Sequence, residues 1–308
     1  MRIFVTGASG FIGSAVVREL LDAGHQVVGL ARSDTAAAAL TDTGVDVVRG
    51  SLDDLDVLRD AAAASDGVIH LAFKQETAVV DGDYRGAVEA DRRAVDAIGD
   101  ALAGTDRPFV LASGLIGLPT GRVVTERDMP TIDDLPMAVR SATALATVAL
   151  ASRGVRSSVV RLPPTVHGEG DPAWMAGLVT TARAKGVSSY FGDGTNRWPA
   201  VHRLDVARLF RLAVEKAPAG SVLHGIAEEG VALRDIAEVI GRHLDMPVTS
   251  LTPEVPPAHL AWQSAYTSFT ARVSNTLTRE LLDWQPTHPG LLEDLDQGHY
   301  YRTPATTA

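Results

Sequence analysis

The chain has 308 residues, 45% of them hydrophobic, no cysteine, and a formal net charge of −10 at pH 7. That length and apolar content supply one full core plus a second lobe, and the missing thiols exclude disulfides, thiolate metal sites and cysteine nucleophiles. Acidic balance without basic tracts argues against a nucleic-acid backbone or an anionic membrane as partner, because the long-range field would repel both.

The first element is Arg2-Ile3-Phe4-Val5, a short β-branched and aromatic run that reads as a buried strand. From Ile12 the apolar period lengthens to helical spacing at Ile12, Val16 and Leu20, and Gly24 closes that helix. Between strand and helix lies Thr6-Gly7-Ala8-Ser9-Gly10-Phe11-Ile12-Gly13. Its three glycines permit a tight turn, close approach of backbone to a pyrophosphate, and close packing of helix on strand. The helix start then presents unpaired N–H groups and a positive dipole end to the anion. Gln26-Val27-Val28-Gly29-Leu30 is the second strand, and Ala31-Arg32-Ser33 stands at its end. An arginine there pairs with the 2′-phosphate of NADP, whereas an acid would accept the 2′-hydroxyl of NAD. Arg32 thus favours NADP(H), with Asp34 two residues later as the counter-signal and simple solvation of Arg32 as the alternative.

A third strand, Val45 to Val48, precedes Gly50-Ser51-Leu52-Asp53-Asp54 and a helical stretch to about Ala64. The alanines at 36–39 and 61–64 are helix-forming composition. Gly67 to Phe73 is a nearly all-apolar fourth strand, as expected when both sheet faces are covered, and His70 within it reads as a satisfied core histidine. A long helix from about Tyr84 to Leu102 leads to a fifth strand, Phe109 to Ala112, ending at Ser113-Gly114. A helix over about Arg140–Ser152 and a sixth strand, Ser158 to Leu162, follow, and Pro163-Pro164 ends the ladder. Strands alternating with helices predict an α/β fold with a parallel, doubly wound sheet.

Beyond Thr165 a smaller lobe is expected. His167 to Asp171 reads as a loop, Trp174 to Lys185 as a helix, and Tyr190 to Trp198 as a Gly-rich polar connection. Pro199 to His202 looks like a return to the main domain, with Asp205 capping a helix from Val206 to Glu215. Val222 to Ile226 is a predicted strand, and Ile236, Val239, Ile240 and Leu244 stripe another helix. The remainder reads as irregular, with a frayed tail at Thr303–Ala308. The expected organisation is therefore a dinucleotide-binding domain over 1–164, rejoined by 199–227, and a substrate lobe from 165–198 and 228–302. No apolar run reaches membrane-spanning length, and a motif beginning at residue 7 leaves no room for a removable signal, so a reducing cytoplasm is the expected compartment.

In these features the chain resembles the NAD(P)-dependent epimerase/dehydratase group of short-chain dehydrogenases/reductases, in its extended and atypical branch. The resemblance rests on the glycine stretch, Gly50-Ser51-Leu52-Asp53 and His70-Leu71-Ala72. It continues in Arg161-Leu162-Pro163-Pro164-Thr165-Val166-His167-Gly168 and in the segment Val201 to Ala207. It implies a Rossmann-type domain with a C-terminal lobe closing over a small-molecule substrate. It further implies cofactor contacts from Gly7, Ser9, Gly10, Phe11, Ile12, Gly13 and Arg32, an adenine flanked by Ser51 and Leu52, and Leu71 and Ala72 under the phosphates and ribose. Leu162, Pro163 and Pro164 would line the nicotinamide, and dimers are common in such proteins.

One family feature is missing. The usual Tyr-x-x-x-Lys pair, whose lysine lowers the tyrosine pKa for proton exchange, has no counterpart: Tyr84, Tyr190, Tyr266, Tyr300 and Tyr301 all lack a lysine four residues on. Counting back from Gly154 puts the lysine position near Arg140 and the tyrosine position near Pro136 or Met137. Arg140 retains the positive charge and suits ribose, but arginine does not give up its proton. Ser113 matches the residue that orients a substrate carbonyl, or else is a strand-end serine bonding backbone.

Candidate proton donors are His202, His167, Tyr190, Lys74 and Asp91. His202 has the best pKa for the task, with a structural role at a helix start as its alternative. Asp91, near the family's helix asparagine, reads as a solvated helix-face carboxylate. Lys74, His167 and Trp198 are expected around the substrate, Phe191 could share the apolar wall with Trp198, and Arg197 could meet an acidic group. No histidines show metal spacing. The expected function is an NADP(H)-dependent oxidoreductase acting on a small carbonyl or alcohol. The alternatives are an NAD(P)-dependent epimerase or dehydratase, and a non-catalytic NADP(H)-sensing protein.

Overall fold

The computed structural model describes residues 1–79, 81–115, 117–131, 139–251 and 270–302. The N-terminal half alternates strands and helices: β1 Arg2–Thr6, α1 Phe11–Asp22, β2 Gln26–Ala31, α2 Asp34–Thr41, β3 Asp46–Arg49, α3 Leu55–Ala63 and β4 Gly67–His70. Next come α4 Gln75–Val79, α5 Tyr84–Leu102, β5 Pro108–Gly114, β6 Val123–Val124, α6 Val139–Ala149 and β7 Arg156–Leu162. The C-terminal half holds β8 Thr165–His167, α7 Trp174–Lys185, β9 Ser188–Phe191, β10 Arg197–His202, α8 Arg203–Lys216 and β11 Ser221–His224. It finishes with β12 Glu228–Ala232, α9 Leu233–Leu244, β13 Val248–Leu251, β14 Arg272–Val273, α10 Thr276–Leu282 and α11 Leu291–Asp296.

Seven strands form one sheet in the order β11-β7-β5-β4-β1-β2-β3, every neighbouring pair parallel. The order reverses direction between β1 and β4, so the α/β doubly wound arrangement expected from the alternation is present. One face packs Ile3, Val5, Ile69 and Val110 on Val16 and Leu20 of α1 and on Val206 and Phe210 of α8. The other packs Phe4, Val68, Phe109 and Leu111 on Leu58 of α3, Val95 and Ile98 of α5, and Ala144 of α6. Burial on both faces is why these strands read as continuous apolar runs. A separate apolar core holds the C-terminal lobe together, with Met175, Val179, Trp198, Ile236, Val239 and Leu291 at its centre.

Several boundaries differ from expectation, each for a local reason. β4 stops at His70, three residues early, because Leu71 N–H already bonds the Thr6 carbonyl at 3.2 Å and the chain then turns past Gly7. His202, and not Asp205, caps α8: its Nδ1 accepts from Leu204 N–H at 3.3 Å. Asp205 instead lies within the first turn, fully buried, and accepts from the backbone N–H groups of Thr287 and His288. The loop expected at His167 begins as β8, which pairs with β10 in a three-stranded sheet β12-β10-β8 outside the main one. Pro199–His202 therefore rejoins the main core through Val201, which packs there, and not through the main sheet. The C-terminal part read as irregular contains β13, β14, α10 and α11, and Trp284 is fully buried with its indole N–H on the Asp205 carbonyl at 3.0 Å. Pro136, Met137, Tyr266 and the Thr303–Ala308 tail lie outside the described residues.

Candidate functional site

The parallel strands all point their C-terminal ends at one crevice, and its floor is the glycine turn after β1. Gly7 takes φ +70°, a left-handed conformation open to glycine, and its carbonyl accepts from Gly10 N–H at 3.0 Å. A Cβ on Gly13 would lie 1.9 Å from that carbonyl oxygen, and one on Gly7 would lie 2.8 Å from Ala72 N. Both positions therefore exclude a side chain. Gly10 begins α1 without a side-chain cap, so the first-turn N–H groups are left to an incoming acceptor. A cradle bare of side chains, at the uncapped end of a helix, fits a pyrophosphate. The Arg203 guanidinium, 5.1 Å from the Phe11 ring centroid, brings a cation to its edge.

At the end of β2, the side chain of Ser33 caps α2 by accepting from Ala36 N–H at 3.2 Å. Arg49 donates to both the Ser33 carbonyl and the Asp34 carboxylate at 2.7 Å, the latter as an ion pair on the exposed surface. Arg32 stays 73% exposed in its side chain, with the Glu76 carboxylate 3.7 Å away. On the adenine side, the Ser51 N–H and hydroxyl bond Asp54 at 2.7 and 2.8 Å, which holds the Asp54 carboxyl below its usual range. Leu52 is buried beneath. Lys74, expected near substrate, is committed to Asp53 at 2.6 Å, with Arg93 at 3.5 Å from the same carboxylate.

Above the end of β4 a chain of polar groups crosses the sheet. Ala72 N–H donates to Thr6 Oγ1 at 3.3 Å, so the Thr6 hydrogen is available to His70 Nδ1 at 2.8 Å. His70 Nε2–H then donates to Asp91 Oδ1 at 3.2 Å, which makes His70 the satisfied core histidine that its strand suggested. Asp91, expected on a solvated helix face, is fully buried. The reason is that α5 is covered on this side by β4 and by α6, and Asp91 serves two cationic or donor partners there: His70, and Arg140 Nε at 3.9 Å from Oδ2. Arg140 also donates to the Ala112 carbonyl at 3.4 Å and lies 4.1 Å over the Phe73 ring. Phe73 in turn meets Tyr84, the first residue of α5, with ring centroids 6.0 Å apart.

Ser113, 8% exposed, pairs in register with Arg161 and shares the sheet face of Phe109 and Leu111, toward α5 and α6. Arg161 is buried, donates to the Asp128 carbonyl at 2.8 Å and stands 3.4 Å from His224 Nε2. Burial lowers the pKa of both Arg161 and His224. Leu162 and Pro163 are buried and Pro164 half-buried where the chain leaves the sheet.

His202 and His167 belong to a second cluster, in the seam between the main domain and the lobe. His202 stacks on His288 at 4.9 Å and meets His167 edge-on at 5.4 Å. Burial first, then the His167 neighbour, pushes His202 down to about 4, so its ring is neutral at neutral pH and its Nδ1 is occupied as the α8 cap. His167 bonds Asp294 at 2.9 Å, and His299 holds the other oxygen of that carboxylate at 3.0 Å. Asp294, although burial pushes it up, is held below its usual range by those two bonds. Tyr190 belongs to a third group, where its hydroxyl accepts from Arg234 at 3.3 Å. Trp198 is buried in the lobe core against Trp174, and Arg197 donates to the Gly230 carbonyl. A narrow cavity of about 30 Å³ opens in this lobe beside Tyr190, Phe191 and Trp198.

The fold thus gathers Ser113, Arg140 and Asp91 on one wall of the crevice and sends His167, His202 and Tyr190 elsewhere. Sequence reasoning passed over Thr6, Phe73 and Tyr84, which join that wall. The available signals were a polar residue closing an apolar strand, an aromatic beside the glycine-facing Leu71-Ala72 segment, and a tyrosine opening the longest helix. Among the described residues no group of three His, Asp or Glu side chains has the arrangement to hold a metal ion.

Comparison with known proteins places this geometry. The sequence model of the NAD dependent epimerase/dehydratase family matches residues 3–224. An uncharacterized protein of Schizosaccharomyces pombe is 46% identical over 302 residues, covering 98% of this chain and 100% of its own. The decarboxylating sterol-4-alpha-carboxylate 3-dehydrogenase of Dictyostelium discoideum is 29% identical over 76% of this chain and 73% of its own. Among solved structures, UDP-glucose 4-epimerase of Thermotoga maritima with UDP-glucose superimposes with a TM-score of 0.79 at 20% identity, covering 98% of each chain. The chain belongs to the NAD dependent epimerase/dehydratase family.

Proposed function

We propose that this protein is an NADP(H)-dependent oxidoreductase of the atypical short-chain type, acting between the carbonyl and alcohol forms of a small molecule. The observation that carries the reading is the corner itself. The side-chain-free cradle of Gly7, Gly10 and Gly13 lies beside an exposed Arg32, while Asp34, the acid that would favour NAD, is tied to Arg49. An exposed guanidinium is the group that recognises a 2′-phosphate.

The dinucleotide, when bound, supplies or accepts a hydride at its nicotinamide ring. The chain's own part is orientation and charge. In this reading Ser113, at the end of β5, donates its hydroxyl to a substrate oxygen, and Arg140, held by Asp91 and by the carbonyl of Ala112, the residue before Ser113, supplies a positive charge. The relative that is a sterol-4-alpha-carboxylate 3-dehydrogenase supports alcohol and carbonyl chemistry for the same family. A cytoplasmic, homodimeric protein is part of the same reading.

The test is oxidation of NADPH by the purified protein against a panel of aldehydes and ketones. Carbonyl-dependent oxidation that falls at least tenfold in Ser113→Ala supports the reading. Dinucleotide retained through purification with no net consumption would point instead to an epimerase or dehydratase, and NADPH binding without turnover would point to a sensor.

A further inference from the structure

We propose that Arg203 is a side-chain ligand of the dinucleotide's pyrophosphate, gripping from the start of α8 the anion that the glycine turn cradles from the start of α1; the inference rests on the dinucleotide reading above. A pyrophosphate brings two negative charges into a chain whose formal net charge is already −10. The backbone N–H groups and dipole at a helix start answer that with only about half a unit of positive charge. A guanidinium at the same place supplies a full charge and a planar fork that matches phosphate oxygens.

The cations around the crevice sort by what already holds them. Lys74 is paired with Asp53, Arg140 with Asp91 and the Ala112 carbonyl, and Arg161 donates to the Asp128 carbonyl. Arg32 stands at the end of β2, on the ribose side, beside Glu76. Arg203 is half-buried and, among the described residues, makes no ion pair and no hydrogen bond. Its charge is therefore uncompensated in the ligand-free chain.

Its position is fixed from two sides. Helices α1 and α8 pack against each other on one face of the sheet, through Val16 and Leu20 against Val206 and Phe210. Their first residues are Phe11 and Arg203, and the Arg203 Cζ lies 5.1 Å from the Phe11 ring centroid. Phe11 belongs to the turn whose N–H groups have no intrahelical acceptor, so the guanidinium borders the anion site itself. On the other side the Arg203 stem lies along the loop after β8. A Cβ on Gly168, at φ +134°, would sit 3.2 Å from Arg203 Cγ, and one on Gly170 would sit 3.8 Å from Nη1. That loop is tied down in turn. The Tyr300 hydroxyl accepts from Gly168 N–H at 3.0 Å and donates to its carbonyl at 3.3 Å, and Arg302 pairs with Glu169 at 3.1 Å. The ring orients the guanidinium without neutralising it, and the loop holds its stem, so little ordering is left for the anion to impose.

The test is titration of NADPH, NADH and ADP-ribose, which share the pyrophosphate and differ in everything beyond it. Arg203→Met keeps the stem and removes the charge. It should weaken all three by a common factor of about tenfold or more, leaving the NADPH to NADH ratio within about twofold of wild type. Because the lost contact is ionic, raising NaCl from about 50 to about 500 mM should weaken the wild type more than the variant and draw the two together. Arg203→Lys, with charge but no fork, should fall between them. In wild-type protein the Arg203 15Nε–1Hε signal, assigned by its absence in Arg203→Lys, should move on adding ADP-ribose and stay in place on adding adenosine. Affinities within about threefold of wild type in Arg203→Met, a loss confined to NADPH, a loss indifferent to salt, or an Arg203 signal unmoved by ADP-ribose overturns the assignment and leaves the dinucleotide reading standing. Wild-type protein that binds none of the three overturns both.

Discussion

The two walls of the crevice are made of different material. Around the phosphate position the wall is backbone, with three glycines, an uncapped helix start and carbonyls packed so closely that a Cβ on Gly13 would sit 1.9 Å from an oxygen. Across from it the wall is side chains, with Thr6, His70, Asp91, Arg140, Phe73 and Tyr84 drawn from β1, β4, α5, α6 and the segment after β4. A backbone wall needs residues that are absent in side chain and adjacent in sequence. The side-chain wall needs residues that are chemically distinctive and far apart in sequence.

The contrast can be broken at its strongest joint first. Asp91→Ala leaves a buried histidine and a guanidinium without their shared carboxylate and should cost about 3–5 kcal/mol in denaturant unfolding. Asp91→Asn, which keeps an acceptor for His70, should cost less. A loss under about 1 kcal/mol for Asp91→Ala would mean that the side-chain wall is not held by this residue.

Next in size is the backbone wall. Gly13→Ala forces a methyl into the Gly7 carbonyl and should cost about 1–3 kcal/mol by thermal or denaturant unfolding, together with at least a tenfold loss of NADPH affinity in a fluorescence titration. Stability and affinity both unchanged would show that the turn can open without cost.

The seam cluster gives a pH test that separates it from either wall. His202 is held near 4 in the folded chain and returns to about 6.5 when unfolded, so between these values the unfolded chain binds more protons. Its contribution is flat above about pH 7 and is lost as pH falls from 6.5 toward 4, by roughly 2–3 kcal/mol. His202→Gln should flatten that part of the stability profile without moving the acid limb due to carboxylates. The smallest effect is expected at the rim. Glu76→Gln removes an exposed ion pair and should change stability by less than about 0.5 kcal/mol, while tightening NADPH a few fold by freeing Arg32.

How legible each wall was follows from how it is built. The glycine turn and the alternation that gives the parallel sheet are local patterns, and they could be read from spacing alone. Asp91 could not, because a carboxylate on a long helix reads as solvated until α6 and β4 are known to cover that face. Asp205 misled for the opposite reason: an acid at a helix start looks like a cap, but its partners, Thr287 and His288, come from some 80 residues downstream. His202 looked like a proton donor by its intrinsic pKa, and only the neighbouring rings and burial show that the fold keeps it neutral. Tyr84 was visible as a residue but not as a neighbour of Arg140, since 56 positions separate them in the chain.

The most direct measurement is a paired fluorescence titration with NADPH and NADH on the wild-type protein and on Arg32→Ala. If Arg32 recognises the 2′-phosphate, NADPH binds at least tenfold tighter than NADH, and Arg32→Ala removes that difference while leaving NADH affinity within about threefold. Equal affinities in the wild type, or a preference that survives the substitution, would contradict the role given to Arg32. Failure to bind either nucleotide would contradict the reading of the glycine cradle itself.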